Sequence, residues 1–147
     1  MKSIMPRSQC PISFSLDILG DKWILLILRD MIFAEKSSYN EFLQSAEKVA
    51  TNILADRLNV LESQKFVEKV VASDKKSKFT YILTEKSLDL IPVILELSIW
   101  GLSNFPPEID PDLIIALEPD REETIKKYKE LARKRAEQQR KSSRAVR

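Results

Sequence analysis

Residues 51–85 constrain the fold most strongly. In Thr51-Asn-Ile-Leu-Ala-Asp-Arg-Leu-Asn-Val-Leu-Glu62, the residues Ile53, Leu54, Arg57, Leu58 and Leu61 recur at i, i+4 and i+8. That spacing predicts an amphipathic helix over about Thr51–Ser63. Its outward face carries Thr51, Asn52, Ala55, Asp56 and Asn59. Phe66–Ala72 and Lys78–Leu83 are rich in β-branched and aromatic residues and read as strands. The turn between them is charged, with Lys75, Lys76 and Lys78. A helix followed by a basic β-hairpin is the layout of a winged helix-turn-helix, which reads DNA and catalyses nothing by itself.

The rest of the chain reads as helical. Pro11 suits a first helical turn, which needs no backbone donor there. Ile12, Leu16 and Leu19 follow at helical spacing, and Gly20 ends that helix. Lys22 to Phe33 is apolar all round and belongs centrally in the core. Ser37 or Ser38 can cap a short helix, with Glu41 three residues after Ser38 as in a capping box, and the apolar face of that helix is Tyr39, Phe42 and Leu43. Thr84 and Glu85 open a long helix to about Asn104, bent at Pro92 and stopped by Pro106-Pro107. Leu113–Leu117 can form a short apolar turn, and Pro119 suits the start of a last helix to about Gln139, followed by a loose basic end.

Composition narrows the function. With 147 residues and 44% apolar content, one domain with an appendage is expected. No apolar run approaches membrane-spanning length, and the charged start lacks an apolar h-region, so a cytoplasmic protein is the simplest expectation. There is no histidine, which removes the commonest general base and zinc ligand. Two glycines cannot build a glycine-rich phosphate loop. An enzyme, a metal and a cofactor are therefore not expected. The single Cys10 excludes an internal disulfide. A helix N-terminus favours a thiolate, and Arg7 could add to that, so Cys10 is a candidate redox sensor; the bland reading is an unreactive, half-buried thiol.

The net charge of +2 hides an asymmetry: residues 1–120 carry a balance of −5 and residues 121–147 one of +7. The basic tail either embraces phosphates or packs through Ile125, Tyr128 and Leu131, and packing is the better reading of a charge run. The Glu85–Asn104 helix has more apolar residues than one face needs. A homodimer through Leu88, Ile91, Leu95, Ile99 and Leu102 is expected, with cover by Leu113–Leu117 as the alternative. On the outward face of the 51–63 helix, Asn can contact adenine and Thr can touch a thymine methyl; the alternative is a solvated helix face. The wing lysines, likewise, either neutralise phosphates or decorate a solvated turn.

Cys10-Pro11, Gly20-Asp-Lys-Trp23, Leu26-Ile-Leu-Arg-Asp30, Tyr39-Asn-Glu-Phe42, Leu54-Ala-Asp-Arg-Leu58 with Leu61-Glu62, Tyr81-Ile-Leu-Thr-Glu-Lys86 and Trp100-Gly101 occur in this order. Through them the chain resembles the HxlR-type winged helix-turn-helix transcriptional regulators, relatives of the MarR group. The resemblance implies a mainly α, dimeric fold with a small β-hairpin wing, residues 10–105 forming the domain and dimerising through the N-terminal helix and the Glu85–Asn104 helix; residues 106–147 lie beyond the resemblance and read from their own pattern as a C-terminal helical extension with a basic tail. It implies a sequence-specific DNA-binding transcriptional regulator whose partners are a double-stranded operator and a second copy, thiol-responsive through Cys10 as in some relatives. The small-molecule or electrophile effector is left open. A winged-helix protein-interaction module with little DNA affinity is the alternative, favoured by the acidic body. A glycine that commonly ends the recognition helix is Lys65 here, which implies another geometry for the turn into the strand.

Overall fold

The computed structural model describes residues 5–72, 78–105 and 120–144. Its elements are α1 (Pro11–Leu19), α2 (Lys22–Phe33), α3 (Tyr39–Leu43), α4 (Thr51–Ser63), β1 (Val67–Val71), β2 (Phe79–Leu83), α5 (Glu85–Leu88), α6 (Ile91–Asn104) and α7 (Arg121–Arg144). The expected mainly α class with one hairpin is observed. The strands pair antiparallel, with Val67 opposite Leu83 and Val71 opposite Phe79. Tyr81 N–H also donates to Ser37 O at 2.8 Å, which ties β2 to the segment before α3.

Helix α2 runs through the core. Asp21 caps it by accepting from Trp23 N–H at 2.8 Å. Ile24, Ile27, Leu28, Met31 and Ile32 are buried along it and pack with Phe42, Leu54, Leu58, Leu61, Ile91 and Leu95. The Ser38–Glu41 capping box is present, and Tyr39 Oη donates to Thr51 O at 2.9 Å, pinning α3 to the first turn of α4.

The α3–α4 connection is fixed by a polar network. Asp30 is buried and accepts from Arg29 Nε at 2.9 Å, Arg29 Nη2 at 2.7 Å, Lys36 Nζ at 3.4 Å and the Ser45 hydroxyl. A buried carboxylate is tolerable only when paired in this way. Arg29 also grips Glu47 with bonds of 2.5 and 3.0 Å. Burial would lower the Arg29 guanidinium, but its bonds to Glu47 and Asp30 outweigh that and hold it above its ordinary value.

Three features differ from the sequence expectation. First, Lys65 itself takes the left-handed conformation, at φ 61°. Phe66 N–H donates to Leu61 O at 2.8 Å and Lys65 N–H to Glu62 O at 3.0 Å. These are the two bonds of the Schellman turn that a glycine would form, so the geometry is retained at a steric cost rather than replaced. Second, the Glu85–Asn104 stretch is two helices, not one bent helix. Pro92 lacks an N–H and its ring would meet the carbonyl four residues back, that of Leu88, where α5 ends. Third, α7 continues five residues beyond Gln139. Leu113–Leu117, Pro106-Pro107 and Pro119, for which the sequence predicts a short apolar turn, a helix stop and a helix start, lie outside the described residues.

Helix α7 packs on β1, β2, α2 and α6. Thr124, Ala132 and Ala136 are its buried residues, whereas Leu131, expected inward, is exposed. Small side chains let the backbone approach closely, and the charged residues around them reach outward to body acids. Arg133 forms bonds of 2.8 and 2.9 Å with Glu85, and Arg121 lies 2.6 Å from Glu96. Arg135 donates to the carbonyls of Met31 and Ile32 at 2.8 and 3.0 Å, satisfying the C-terminal end of α2.

Candidate nucleic-acid interface

Helix α4 divides cleanly. Leu54, Leu58 and Leu61 are at most 1% exposed, while Thr51, Asn52, Ala55, Asp56 and Asn59 all lie on the exposed side. The spacing of those five gives one stripe along the helix. Asn52 and Asn59 side chains make no hydrogen bond within the described residues, so their amides are free for an external partner. Arg57 is the internal tie: Nε donates to Asp21 Oδ2 at 2.6 Å and Nη1 to Asp56. Burial opposes its charge, but those two carboxylates hold it above its ordinary value.

The hairpin stands beside this stripe. Lys69, Val71, Phe79 and Tyr81 share one of its faces; Glu68, Val70, Thr80 and Ile82 share the other, against which α7 packs. Lys78 is exposed at the turn end of the hairpin. Lys75 and Lys76 lie outside the described residues. Between α3, α4 and the hairpin is a cleft of ≈ 450 Å³. Asn40, Lys69 and Phe79 line it, and the sequence reading passed over all three. The signal was the strand parity, which places Lys69 two residues from Val67 and Val71 and opposite Tyr81.

The expected dimer residues separate. Leu88, Ile91 and Leu95 are 3%, 0% and 0% exposed and are sealed in this chain's core, so they have no surface to offer a partner. Ile99 is half-buried and Leu102 exposed. Besides Leu102, α6 exposes Val93, Leu97 and Trp100, which line an open groove of ≈ 520 Å³ with Pro92 and Arg121. On α1, Ile12 and Leu16, which recur at helical spacing with Leu19, are exposed together with Phe14, and it is Ile18 and Leu19 that pack on the core.

Cys10 is the N-cap of α1 and is exposed rather than half-buried. Arg7 is engaged by Asp17 at 2.6 Å. Among the described residues there is no group of three His, Cys, Asp or Glu able to hold a metal, and no helix long and apolar enough to cross a membrane.

A short helix pinned to a second helix, with an outward polar stripe and an adjoining hairpin, defines a winged helix-turn-helix protein. Residues 18–109 match the HxlR-like helix-turn-helix family, and the chain belongs to it. It is 34% identical over 104 residues to the HTH-type transcriptional regulator YybR of Bacillus subtilis, covering 70% of this chain and 82% of that one. Among solved structures, PA1607 superposes with a TM-score of 0.65 at 33% identity over 78% of both chains. The redox regulator HypR in its reduced form superposes with a TM-score of 0.58 at 31% identity, covering 65% of this chain and 93% of that one.

Proposed function

We propose that this chain is a sequence-specific DNA-binding transcriptional regulator that acts in the cytoplasm as a homodimer. Helix α4 enters the major groove with Thr51, Asn52, Ala55, Asp56 and Asn59 toward the base edges, and the 73–78 turn with Lys75, Lys76 and Lys78 is the wing. The observation that carries this reading is the α4 stripe: five exposed small or polar residues beside a basic hairpin, on a helix whose other side is closed into the core. Residues 10–105 form the working domain and 106–147 an extension of it.

The acidic body, which favoured a protein-interaction module, loses that force here. Glu68, Glu85, Asp89 and Glu96 are each paired with a cation of α7. Exposed Val93, Leu97 and Trp100 on α6, with Ile12, Phe14 and Leu16 on α1, support a second copy as the dimer partner. The likeness to HypR, a redox regulator, supports Cys10 as a thiol sensor.

The test is footprinting of the intergenic region beside the chain's own gene, together with a salt titration of binding. A protected two-part site with a steep salt dependence is expected. Binding with no sequence preference, or none at low salt, would sink the reading.

A further inference from the structure

The cations available on the DNA-facing side are unevenly placed. Helix α3, Tyr39–Leu43, has none, and α4 has only Arg57, which is held by Asp21 and Asp56. Many of the protein's other cations are likewise committed. Lys36 holds Asp30 and Ser45, Lys86 donates to Gln64 O, and Arg133 and Arg140 hold Glu85 and Glu68. Lys69 and Lys78 form no ion pair with a described residue, and both line the cleft between α4 and the hairpin. Lys69 Nζ stands 4.1 Å above the Phe79 ring, which holds the ammonium in place without neutralising it. The same cleft is lined by Asn40 and Asn59, whose amides make no bond to a described residue, and among the described residues by no carboxylate.

The geometry of duplex DNA says what passes there. A helix about 10–12 Å across fills a major groove about 12 Å wide, so the sugar–phosphate strand bordering the groove has to run alongside it. On the hairpin side of α4, alongside is this cleft. We propose that the cleft seats a phosphodiester of that bordering strand, held by the Lys69 and Lys78 ammonium groups and by the Asn40 amide. Lys69 is then a positioning residue that fixes the register of α4 on the duplex and carries no sequence information itself. The proposal rests on the DNA-binding reading above.

The experiment uses the full chain and two probes: an operator selected by the wild-type protein from a pool of random-sequence duplexes, and an unselected duplex. Lys69→Gln should weaken both by the same factor, about tenfold, and should lower the salt slope by about one unit. Asn40→Ala should weaken both while leaving the slope unchanged. Lys126→Gln, an equal loss of charge on exposed α7, should change neither. If wild type binds with a steep slope and Lys69→Gln keeps that slope, the cleft does not hold a phosphate. Weakening confined to the selected operator would make Lys69 a base reader and would equally overturn the proposal. Absence of any duplex binding by wild type would instead bring down the DNA-binding reading and this site with it.

Discussion

Arg140, in the last turns of α7, reaches Glu68 on the outer face of β1 with Nη2 to Oε1 at 3.2 Å and Nε to Oε2 at 3.3 Å. The pair closes a strap. Helix α7 lies across the face of the hairpin turned away from α4, so strands β1 and β2 are held between α4 and the C-terminal helix.

The strap should have one strong fastening and several weak ones. Arg140 and Glu68 are both well exposed, so their pair should contribute under about 1 kcal/mol and weaken with salt. Arg135 is more enclosed and serves two carbonyls of α2 that have no helical partner. Arg135→Ala should cost about 1.5–3 kcal/mol in urea unfolding, well above Arg140→Ala. Equal losses would mean that the ends of α7, not its middle, anchor it.

Lys65 offers the opposite change. A left-handed backbone costs a side-chain-bearing residue about 1–2 kcal/mol, whereas glycine adopts it freely but loses more chain entropy. Lys65→Gly should therefore raise stability by about 1 kcal/mol, seen as a higher urea midpoint with unchanged slope. A destabilised variant would show that the Lys65 side chain stabilises the turn in a way its φ conceals.

Glu47 sets an acid limit. The bonds from Arg29 hold its carboxyl below the ordinary value of 4.5 despite burial. Its folded value lies below its unfolded one, so its stabilisation is complete above about pH 4.5 and fades as pH falls through the folded value. Glu47→Gln should therefore be less stable than wild type at about pH 7, with a gap that narrows on acidification below pH 4.5. A gap that holds constant with pH would remove Glu47 from the linkage.

The sequence disclosed local chemistry well. The Ser38–Glu41 box and the α4 stripe depend on residues within a few positions of each other, so spacing alone located them. It could not choose between two apolar sides of the Glu85–Asn104 stretch. Leu88, Ile91 and Leu95 look no different in the chain from Val93, Leu97 and Trp100, and only packing on α2 decides which set is buried. The strap was hidden for a related reason. Its bonds join residues 48 and 72 positions apart, so the acidic body and basic tail read as two separate surfaces rather than as partners.

The proposed dimer can be tested on the side chains that α6 leaves outside. Leu97 and Trp100 are 51% and 59% exposed, so a charge there should not disturb the chain's own core. Wild type at micromolar concentration should sediment at twice the chain mass. Leu97→Asp with Trp100→Glu should give a folded monomer with weakened operator binding, since two half-sites demand two recognition helices. A folded double variant that remains dimeric would place the interface elsewhere.

Cys10 provides the last test. It is exposed, it begins α1, and α1 presents Ile12, Phe14 and Leu16 to the surface where a second copy is proposed to dock. Oxidation would act at that seam. Joining two Cys10 thiols into a disulfide, with diamide as the oxidant, would set the α1 helices at one fixed separation; a sulfenic acid formed by peroxide would add a polar group beside apolar contacts. Either change alters the spacing of the two α4 helices, to which binding of a two-part site is sensitive. Wild type treated with diamide should lose operator affinity and recover it with dithiothreitol, while Cys10→Ser should be indifferent to both. Non-reducing gels would separate the two chemistries, since only the disulfide yields a covalent dimer. Equal affinity of oxidised wild type and oxidised Cys10→Ser would leave Cys10 as the backbone N-cap position of α1 and nothing more.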